Sequence, residues 1–347
     1  PSAASGFDGL RPRLTGCSCM RRPVLNMCAA LASSTLTPSE RFLFDLNGFA
    51  VVRGVFDEKQ VDAMNAAIDL HADELNARAD TMLRNTRDNT LMSAAGPRLD
   101  MGGMLWWPKP QSELFRAVLT HPKLLPYYHM LCGEGYRMDH QPLLIVQERD
   151  SEGFALHGGP MSADEGIPSG RFNPELQYRC INGQPWTSLL AVSVQLCDHA
   201  GDGGFCVVRG SHKLNLPVPS AMAHGDDGIA EHVYHPVTRK GDVVIWSEAT
   251  VHGATPWRAS YQRRIALYRF APANMGYGRG YLEIPPAALE DLSEQQRAVL
   301  EPPYAARLER PLLTAETVAD AAAPPLKKAR HAAKKHFDKK LFGTNYF

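Results

Sequence analysis

Short β-rich runs separated by glycine, proline and aspartate fill the middle of the 347-residue chain, and they restrict its fold more than any other feature. Their branched and aromatic side chains favour strands over helices. Many short strands with turn residues between them are typical of a sandwich or a jelly-roll barrel. The runs are Leu143–Val146, Ser188–Leu196, Cys206–Val208, Val243–Trp246 and Ile265–Tyr268.

Helical patterns flank the β-rich region. Thr37 and Glu40 have the spacing of a capping box, and the helix that they begin should carry Phe42, Leu43 and Leu46. Asn47–Gly48 is a typical helix end. Asp57 and Gln60 predict the start of a second helix, and after Pro272 one helix is predicted over Ala287–Leu300. The predicted fold is therefore mostly β with flanking helices.

The chain divides into three predicted segments. Residues 1–35 contain several arginines and serines but a single acid, Asp8, which resembles an organellar transit peptide or a disordered leader. Residues 36–272 form the β-rich domain with its first helices. Residues 273–347 form a helical extension that is basic over Lys327–Lys340. Such a run either contacts phosphate groups or is a solvated helix face.

Charge and cysteine content exclude several classes of protein. Lys+Arg and Asp+Glu are both 37, so no global field attracts nucleic acid. The longest apolar runs are far too short to span a membrane. The 7 cysteines are scattered without paired spacing, which indicates reduced thiols in an intracellular compartment, cytoplasmic or organellar. We expect a small-molecule substrate, no nucleic acid and no membrane span; the oligomeric state is left open.

Two histidines lie at the ends of predicted strands. His157 ends the run that begins at Phe154, and His252 follows the strand Val243–Trp246. Imidazole suits Fe(II), which non-haem oxygenases bind through two histidines and one carboxylate. The carboxylate usually stands two residues after the first histidine, because alternate residues share one face of a strand. In this chain that position is Gly159.

Several segments together resemble the phytanoyl-CoA dioxygenase family of Fe(II)- and 2-oxoglutarate-dependent oxygenases. Asn47–Val52 resembles the opening strand of the family, and Gly201–Lys213 resembles its Gly-Ser-His signature. His157 and His252 match the two iron histidines, so His212 of the signature is expected to make a structural hydrogen bond instead. The resemblance covers about residues 36–272 and implies a double-stranded β-helix, the cupin-like jelly roll.

The resemblance also implies how 2-oxoglutarate is bound. Arg263 matches the arginine that holds its far carboxylate, and a guanidinium offers that group two parallel hydrogen bonds. The neighbouring Arg264 must point to the opposite face of the strand. Gln147, Gln195 and Tyr268 also lie in predicted strands, where each could hold 2-oxoglutarate or substrate in the cavity.

Gly159 stands where the family has its metal-binding carboxylate, and three accounts remain open. Both histidines hold iron while a water or a more distant carboxylate, Asp139, Asp164 or Glu165, completes the site. Alternatively a halide binds iron at the vacancy, as in the 2-oxoglutarate-dependent halogenases that this chain resembles there. In the third account iron has been lost and the fold is a binding module. Gly158–Pro160 is also explained simply as a turn.

The sequence thus predicts a hydroxylase of a small organic or acyl substrate that uses Fe(2+) and 2-oxoglutarate. His157 and His252 bind the metal, and Arg263 binds the cosubstrate. The family name suggests an acyl-CoA, although a fold does not determine a substrate. Replacing Gly159 with aspartate should support iron binding only if the backbone can place the new side chain toward the metal.

Overall fold

A computed structural model of the chain describes residues 35–78, 86, 88, 90–159, 176–277, 285–303, 311–312, 326–327 and 340. The leader, the carboxylate candidates Asp164 and Glu165, and most of the basic segment Lys327–Lys340 lie outside the described residues. Among the helices that are described, none is both long and apolar enough to cross a bilayer.

Strands make up most of the regular structure. The helices, in chain order, are α1 (Pro38–Asn47), α2 (Glu58–Leu70), α3 (Glu113–Ala117), α4 (Leu125–Cys132), α5 (Ser220–Ala223), α6 (Pro286–Asp291) and α7 (Glu294–Val299). The strands are β1 (Phe49–Val52), β2 (Asn76–Ala77), β3 (Leu99–Met101), β4 (Arg137–Gln147), β5 (Phe154–His157), β6 (Tyr178–Ile181), β7 (Gln184–Thr187), β8 (Leu190–Gln195), β9 (Gly204–Val208), β10 (Val233–Tyr234), β11 (Val243–Ser247), β12 (His252–Thr255), β13 (Arg263–Ala271), β14 (Pro311–Leu312) and β15 (Leu326–Lys327).

Two antiparallel sheets form the predicted jelly-roll core. The larger sheet has seven strands in the order β1-β11-β8-β13-β4-β3-β2, and the smaller has four in the order β10-β9-β12-β5. Phe205 of the smaller sheet packs against Trp246 of the larger one, with ring centroids 4.4 Å apart. The consecutive strands β11 and β12 belong to different sheets, so the chain turns a corner between them.

The larger sheet buries a different set of side chains on each face. Along β13, Ile265 and Leu267 pack between the sheets, whereas Ala266, Tyr268 and Phe270 pack in the core that contains the helices. This is the alternation expected of a strand buried on both faces. The predicted cavity role of Tyr268 is wrong for this reason: its hydroxyl donates to the carbonyl of Phe115 at 2.9 Å, on the helical side.

Both predicted helix starts are confirmed as capping boxes. The Thr37 hydroxyl accepts from the amide of Glu40, and the Asp57 carboxylate accepts from the amide of Gln60. The first helix ends at Gly48, whose φ of 81° is left-handed and therefore suits glycine.

The burial of α1 and the length of the C-terminal helix differ from expectation. Phe42, Leu43 and Leu46 are 65%, 51% and 53% exposed, and Phe44 is the buried aromatic of α1. The single helix predicted over Ala287–Leu300 is two helices, because Ser293 caps a new one at α7. A serine with glutamine three residues later is a capping signal that outweighed the apolar periodicity.

Candidate metal centre

His157 and His252 face each other across one pair of strands. They are directly opposite in the antiparallel ladder of β5 and β12. Side chains of directly opposed residues lie on the same face of a sheet and close together. The two imidazole rings accordingly have centroids 4.1 Å apart.

Backbone carbonyls determine which nitrogen of each histidine is available. Nδ1 of His157 lies 2.9 Å from the carbonyl of Ala155, and Nδ1 of His252 lies 2.7 Å from the carbonyl of Thr250. A carbonyl only accepts, so each Nδ1 carries the proton and donates it. Each Nε2 is left with a lone pair, which is the arrangement that metal-binding histidines use.

The third candidate ligand is Glu248, which the sequence reasoning missed. It precedes His252 by four residues, and its Oε2 lies 3.3 Å from Nε2 of His252. Ligand atoms of His157, Glu248 and His252 all lie within 4.8 Å of one another. These three side chains could therefore hold one divalent metal ion.

The corner between β11 and β12 brings Glu248 to this position. The amide of Thr250 donates to the carbonyl of Ser247 at 2.8 Å, which closes a tight turn directly before His252. The amide of Glu248 itself donates to the carbonyl of Leu189 at 3.0 Å. A carboxylate that follows one strand is thus returned beside the histidine that begins the next.

Protonation of the three groups suits metal binding. Burial raises the pKa of Glu248, but the opposing charges of Arg269 and the two histidines outweigh it and lower that pKa to about 2. Burial lowers the pKa of His157 to about 3 and also lowers the pKa of His252. At neutral pH the site therefore contains one carboxylate and two neutral imidazoles, so no proton must leave before a metal binds.

Arg269 orients the carboxylate of Glu248. Its Nε donates to Oε1 at 2.9 Å, so the second oxygen, Oε2, is the one beside His252. The side chain of Glu248 is only 4% exposed, and a buried carboxylate of this kind requires a charged partner. Arg269 supplies that partner without blocking the oxygen that faces the histidines.

Gly159 leaves no room for the carboxylate that the family pattern places there. A Cβ atom at Gly159 would lie 2.7 Å from the carbonyl oxygen of Leu176 and 3.2 Å from Cα of Ala249. Its φ is outside the left-handed region, whereas the neighbouring Gly158 has a φ of +147°. Space, and not backbone angle, therefore requires glycine at position 159. The segment that carries Glu248 occupies this space.

Asp139, the described member of the three sequence candidates for the missing ligand, is not at the metal centre. It is 1% exposed and bound to Arg137 at 3.1 Å and to His140 at 2.8 Å. The prediction that it could complete the site is wrong, because Asp139 is already neutralised by its own cation.

The corner between β11 and β12 is held by the two segments that resemble the family, Asn47–Val52 and Gly201–Lys213. The Ser211 hydroxyl donates to the carbonyl of Val208 at 2.6 Å and accepts from the amide of Val251 at 2.7 Å. The Thr250 hydroxyl donates to the carbonyl of Gly48 at 3.0 Å. His212 donates from Nε2 to the carbonyl of Asp45 at 3.0 Å, which is the expected structural role.

The metal centre opens into a cavity of about 390 Å³ between the two sheets. Arg263 lines the cavity, is 2% exposed, and uses two donors: Nε donates to Nε2 of His199 at 2.9 Å, and Nη1 donates to Oε1 of Gln147 at 2.6 Å. Burial lowers the pKa of Arg263 to about 10, so its charge persists at neutral pH. A buried cation on the wall of a cavity is suited to an anion.

The other residues that were predicted to lie in the cavity do not all line it. Gln147 lines the cavity and orients Arg263. Gln195 lies opposite Ile265 in the sheet, but its amide donates to the carbonyl of Ser193 at 2.9 Å, and it does not line this cavity. Arg264 points to the other face and pairs with Asp69 at 2.6 Å. The prediction that Arg263 and Arg264 diverge is confirmed.

Comparison with known proteins identifies the family of the chain. The family model for phytanoyl-CoA dioxygenase (PhyH) matches residues 44–265. The chain belongs to the phytanoyl-CoA dioxygenase family. This match runs from within α1 to the start of β13 and contains His157, Glu248 and His252. Among curated protein sequences, none matches the chain.

Solved structures share the fold at low sequence identity. HygX from Streptomyces hygroscopicus with nickel, 2-oxoglutarate and hygromycin B bound is 20% identical, covers 70% of this chain and 90% of its own, and has a TM-score of 0.55. HygX with iron bound is 20% identical, covers 71% and 90%, and has a TM-score of 0.53. This likeness shows a common fold.

Glu248, Arg269 and His199 were not predicted from the sequence. A search for carboxylates near both histidines, and not only after the first, would have found Glu248 at four residues before His252. Arg269 shares the alternation of Arg263 along the predicted strand, which was the available signal for it. His199 lies outside the regular strands, and its contact with Arg263 has no signal in the sequence pattern.

Proposed function

We propose that this protein is an Fe(II)- and 2-oxoglutarate-dependent oxygenase that oxidises a C–H bond of a small organic molecule. The convergence of His157, Glu248 and His252 on one cavity that also contains a buried Arg263 carries the proposal. Two neutral imidazoles and one carboxylate are the donor set that non-haem Fe(II) oxygenases use. The residues therefore fit the metal.

Each side chain has a separate task in this proposal. His157, Glu248 and His252 hold iron and leave its other positions open. Arg263 binds the far carboxylate of 2-oxoglutarate, while Gln147 and His199 keep its guanidinium in place. When both are bound, iron and 2-oxoglutarate supply the oxidising chemistry, and the protein supplies orientation and exclusion of water.

The cavity walls favour a compact substrate. Leu143, Leu189 and Phe205 provide apolar surface, and the volume of about 390 Å³ is at the small end of the range for ligand sites. An acyl-CoA would fit only if its acyl part entered the cavity while the nucleotide stayed outside.

Hydroxylation is favoured over halogenation. The halogenase alternative requires an open metal position beside Gly159. The space at Gly159 is taken by the Leu176 carbonyl and by Ala249, and Glu248 offers a carboxylate to the metal in its place. A halide has no vacancy of that kind to occupy.

Anaerobic titration tests the proposal. Fe(II) followed by 2-oxoglutarate should produce a visible charge-transfer band, and admission of oxygen should convert 2-oxoglutarate to succinate. Arg264→Ala protein should behave like the parent. Failure of the parent to bind iron would instead support a binding module on the same fold.

A further inference from the structure

Arg269 lies on the same face of β13 as Arg263, with the apolar side chains of Ile265 and Leu267 between them. At about 3.3 Å per residue the two Cα atoms are about 20 Å apart. One cavity thus has an arginine toward each end of the strand. If Arg263 receives 2-oxoglutarate, Arg269 is on the side left for the substrate.

Arg269 retains hydrogen-bond donors for a ligand. Its Nε binds Glu248, and in the described part of the chain its two terminal nitrogens have no hydrogen-bond partner. Its side chain is 20% exposed, whereas Arg263 is buried. The other cations on the wall, Arg78 and Arg98, both bind Asp100. Arg269 is therefore a cation with donors to offer a substrate.

His140 stands beside Arg269 and offers the opposite kind of atom. The two residues are directly opposite across β4 and β13, and both line the cavity. Nδ1 of His140 lies 2.8 Å from Oδ2 of Asp139. The other oxygen of Asp139 accepts from Arg137 at 3.1 Å and from the amide of Tyr277 at 2.8 Å, so the carboxylate cannot turn away.

An imidazole that donates through Nδ1 to a buried carboxylate presents Nε2 as an acceptor. This is the arrangement by which a carboxylate orients a histidine toward a substrate proton. Arg269 can only donate, whereas the tautomer of His140 that donates to Asp139 through Nδ1 accepts at Nε2. A carboxylate accepts from Arg269 but meets an acceptor at His140, and an ammonium group fails at Arg269. A hydroxyl group satisfies both, because its oxygen accepts while its proton is donated.

We propose that Arg269 and His140 bind a hydroxyl group of the substrate, so that the substrate is an alcohol. The inference rests on the proposed function, because it takes the cavity as the substrate site. Asp139 acts as a positioning residue that orients His140. We call the pair Arg269 and His140 the hydroxyl seat. Arg269 connects it to the metal centre, since the same guanidinium binds Glu248.

The test follows arginine Nε–Hε signals by NMR in protein loaded with Zn²⁺ and 2-oxoglutarate. The probes are cyclohexanol, cyclohexanecarboxylate and cyclohexylammonium, which share one ring and differ in the polar group. Arg269→Lys assigns the Arg269 signal. Cyclohexanol should shift that signal saturably and bind tighter than the other two probes.

Removing the acceptor should weaken cyclohexanol about fivefold, the effect of one hydrogen bond. His140→Phe removes both ring nitrogens and with them the acceptor. The amide of His140→Gln can still donate to Asp139 and accept from the hydroxyl, so this variant should keep most of the affinity. Arg264→Lys, on the outer face of β13, is the matched control and should bind cyclohexanol as the parent does.

Three results would overturn the hydroxyl seat: no saturable shift with cyclohexanol, tighter binding of the carboxylate, or unchanged cyclohexanol affinity in His140→Phe. The signal of Arg263 reports separately on 2-oxoglutarate. If 2-oxoglutarate leaves Arg263 unshifted while cyclohexanol shifts Arg269, the oxygenase proposal fails and the hydroxyl seat stands.

Discussion

The two turns that carry the metal-centre histidines differ in the room that they leave. After His157 the chain passes through Gly158 and Gly159, and even a methyl group at position 159 would collide with the carbonyl of Leu176 and with Ala249. Before His252 the corner that begins at Ser247 brings Glu248 within 3.3 Å of the histidine. The carboxylate missing from the first turn is present in the second.

This contrast teaches that the centre is defined by where ligand atoms meet and not by where they stand in the chain. A metal site requires three ligand atoms at compatible distances, and any segment that reaches the point can supply one. The crowding at Gly159 and the presence of Glu248 are connected, because Ala249 of the same corner fills the space that a side chain at position 159 would need.

The largest expected effect comes from replacing the histidine that each turn carries. His157→Ala and His252→Ala should each abolish Fe(II) binding without unfolding the protein, since each removes one of three ligands. Anaerobic calorimetry measures the binding, and circular dichroism checks the fold. Parent-like iron binding by either variant would show that this histidine is not a ligand.

Glu248→Ala tests whether the turn before His252 supplies the carboxylate ligand that the turn after His157 lacks. Loss of a buried charged partner costs about 2–5 kcal/mol, so the Kd for Mn²⁺ should rise by about thirtyfold to several thousandfold. The double variant Glu248→Ala/Gly159→Asp should not recover affinity, because an aspartate side chain at position 159 has no space. Asp139→Asn, a buried carboxylate outside the centre, is the control. Recovery in the double variant would mean that the first turn can still serve the metal.

Arg263→Ala extends the comparison to the cosubstrate. It should weaken 2-oxoglutarate binding by about 2–5 kcal/mol, because a buried charge-assisted contact is lost. Arg264→Ala removes the adjacent arginine on the opposite face and should change binding little. The measurement is 2-oxoglutarate titration of the Mn²⁺-loaded protein. Equal losses in the two variants would remove the basis for assigning Arg263.

Gly159→Ala measures the crowding of the first turn directly. Overpacking typically costs about 1–3 kcal/mol, so the free energy of unfolding should fall by that amount. Gly102→Ala is the matched control, because a Cβ there meets no atom within 4 Å. Urea denaturation of both variants gives the comparison. A parent-like stability for Gly159→Ala would show that Leu176 and Ala249 can move aside.

Local patterns predicted the parts of the structure that depend on neighbouring residues. The capping boxes at Thr37 and Asp57 and the divergence of Arg263 and Arg264 follow from fixed spacings along a helix or strand. The resemblance of the β-rich region to a known family predicted the jelly roll, and the family match confirms that relationship. The roles given to Gln195 and Tyr268 were less secure, because alternation alone does not say which face borders the cavity.

By itself, the sequence determined several strands of the two sheets, the two candidate iron histidines and the absence of the expected carboxylate. Only the tertiary structure decided what takes its place, because the position of Glu248 depends on a corner between two sheets that local periodicity does not describe. The hydroxyl seat also depends on the tertiary structure, because His140 and Arg269 are far apart in the chain and meet through the register of β4 and β13. Register across a sheet is set by packing of the whole core, so it could not be deduced from either strand alone.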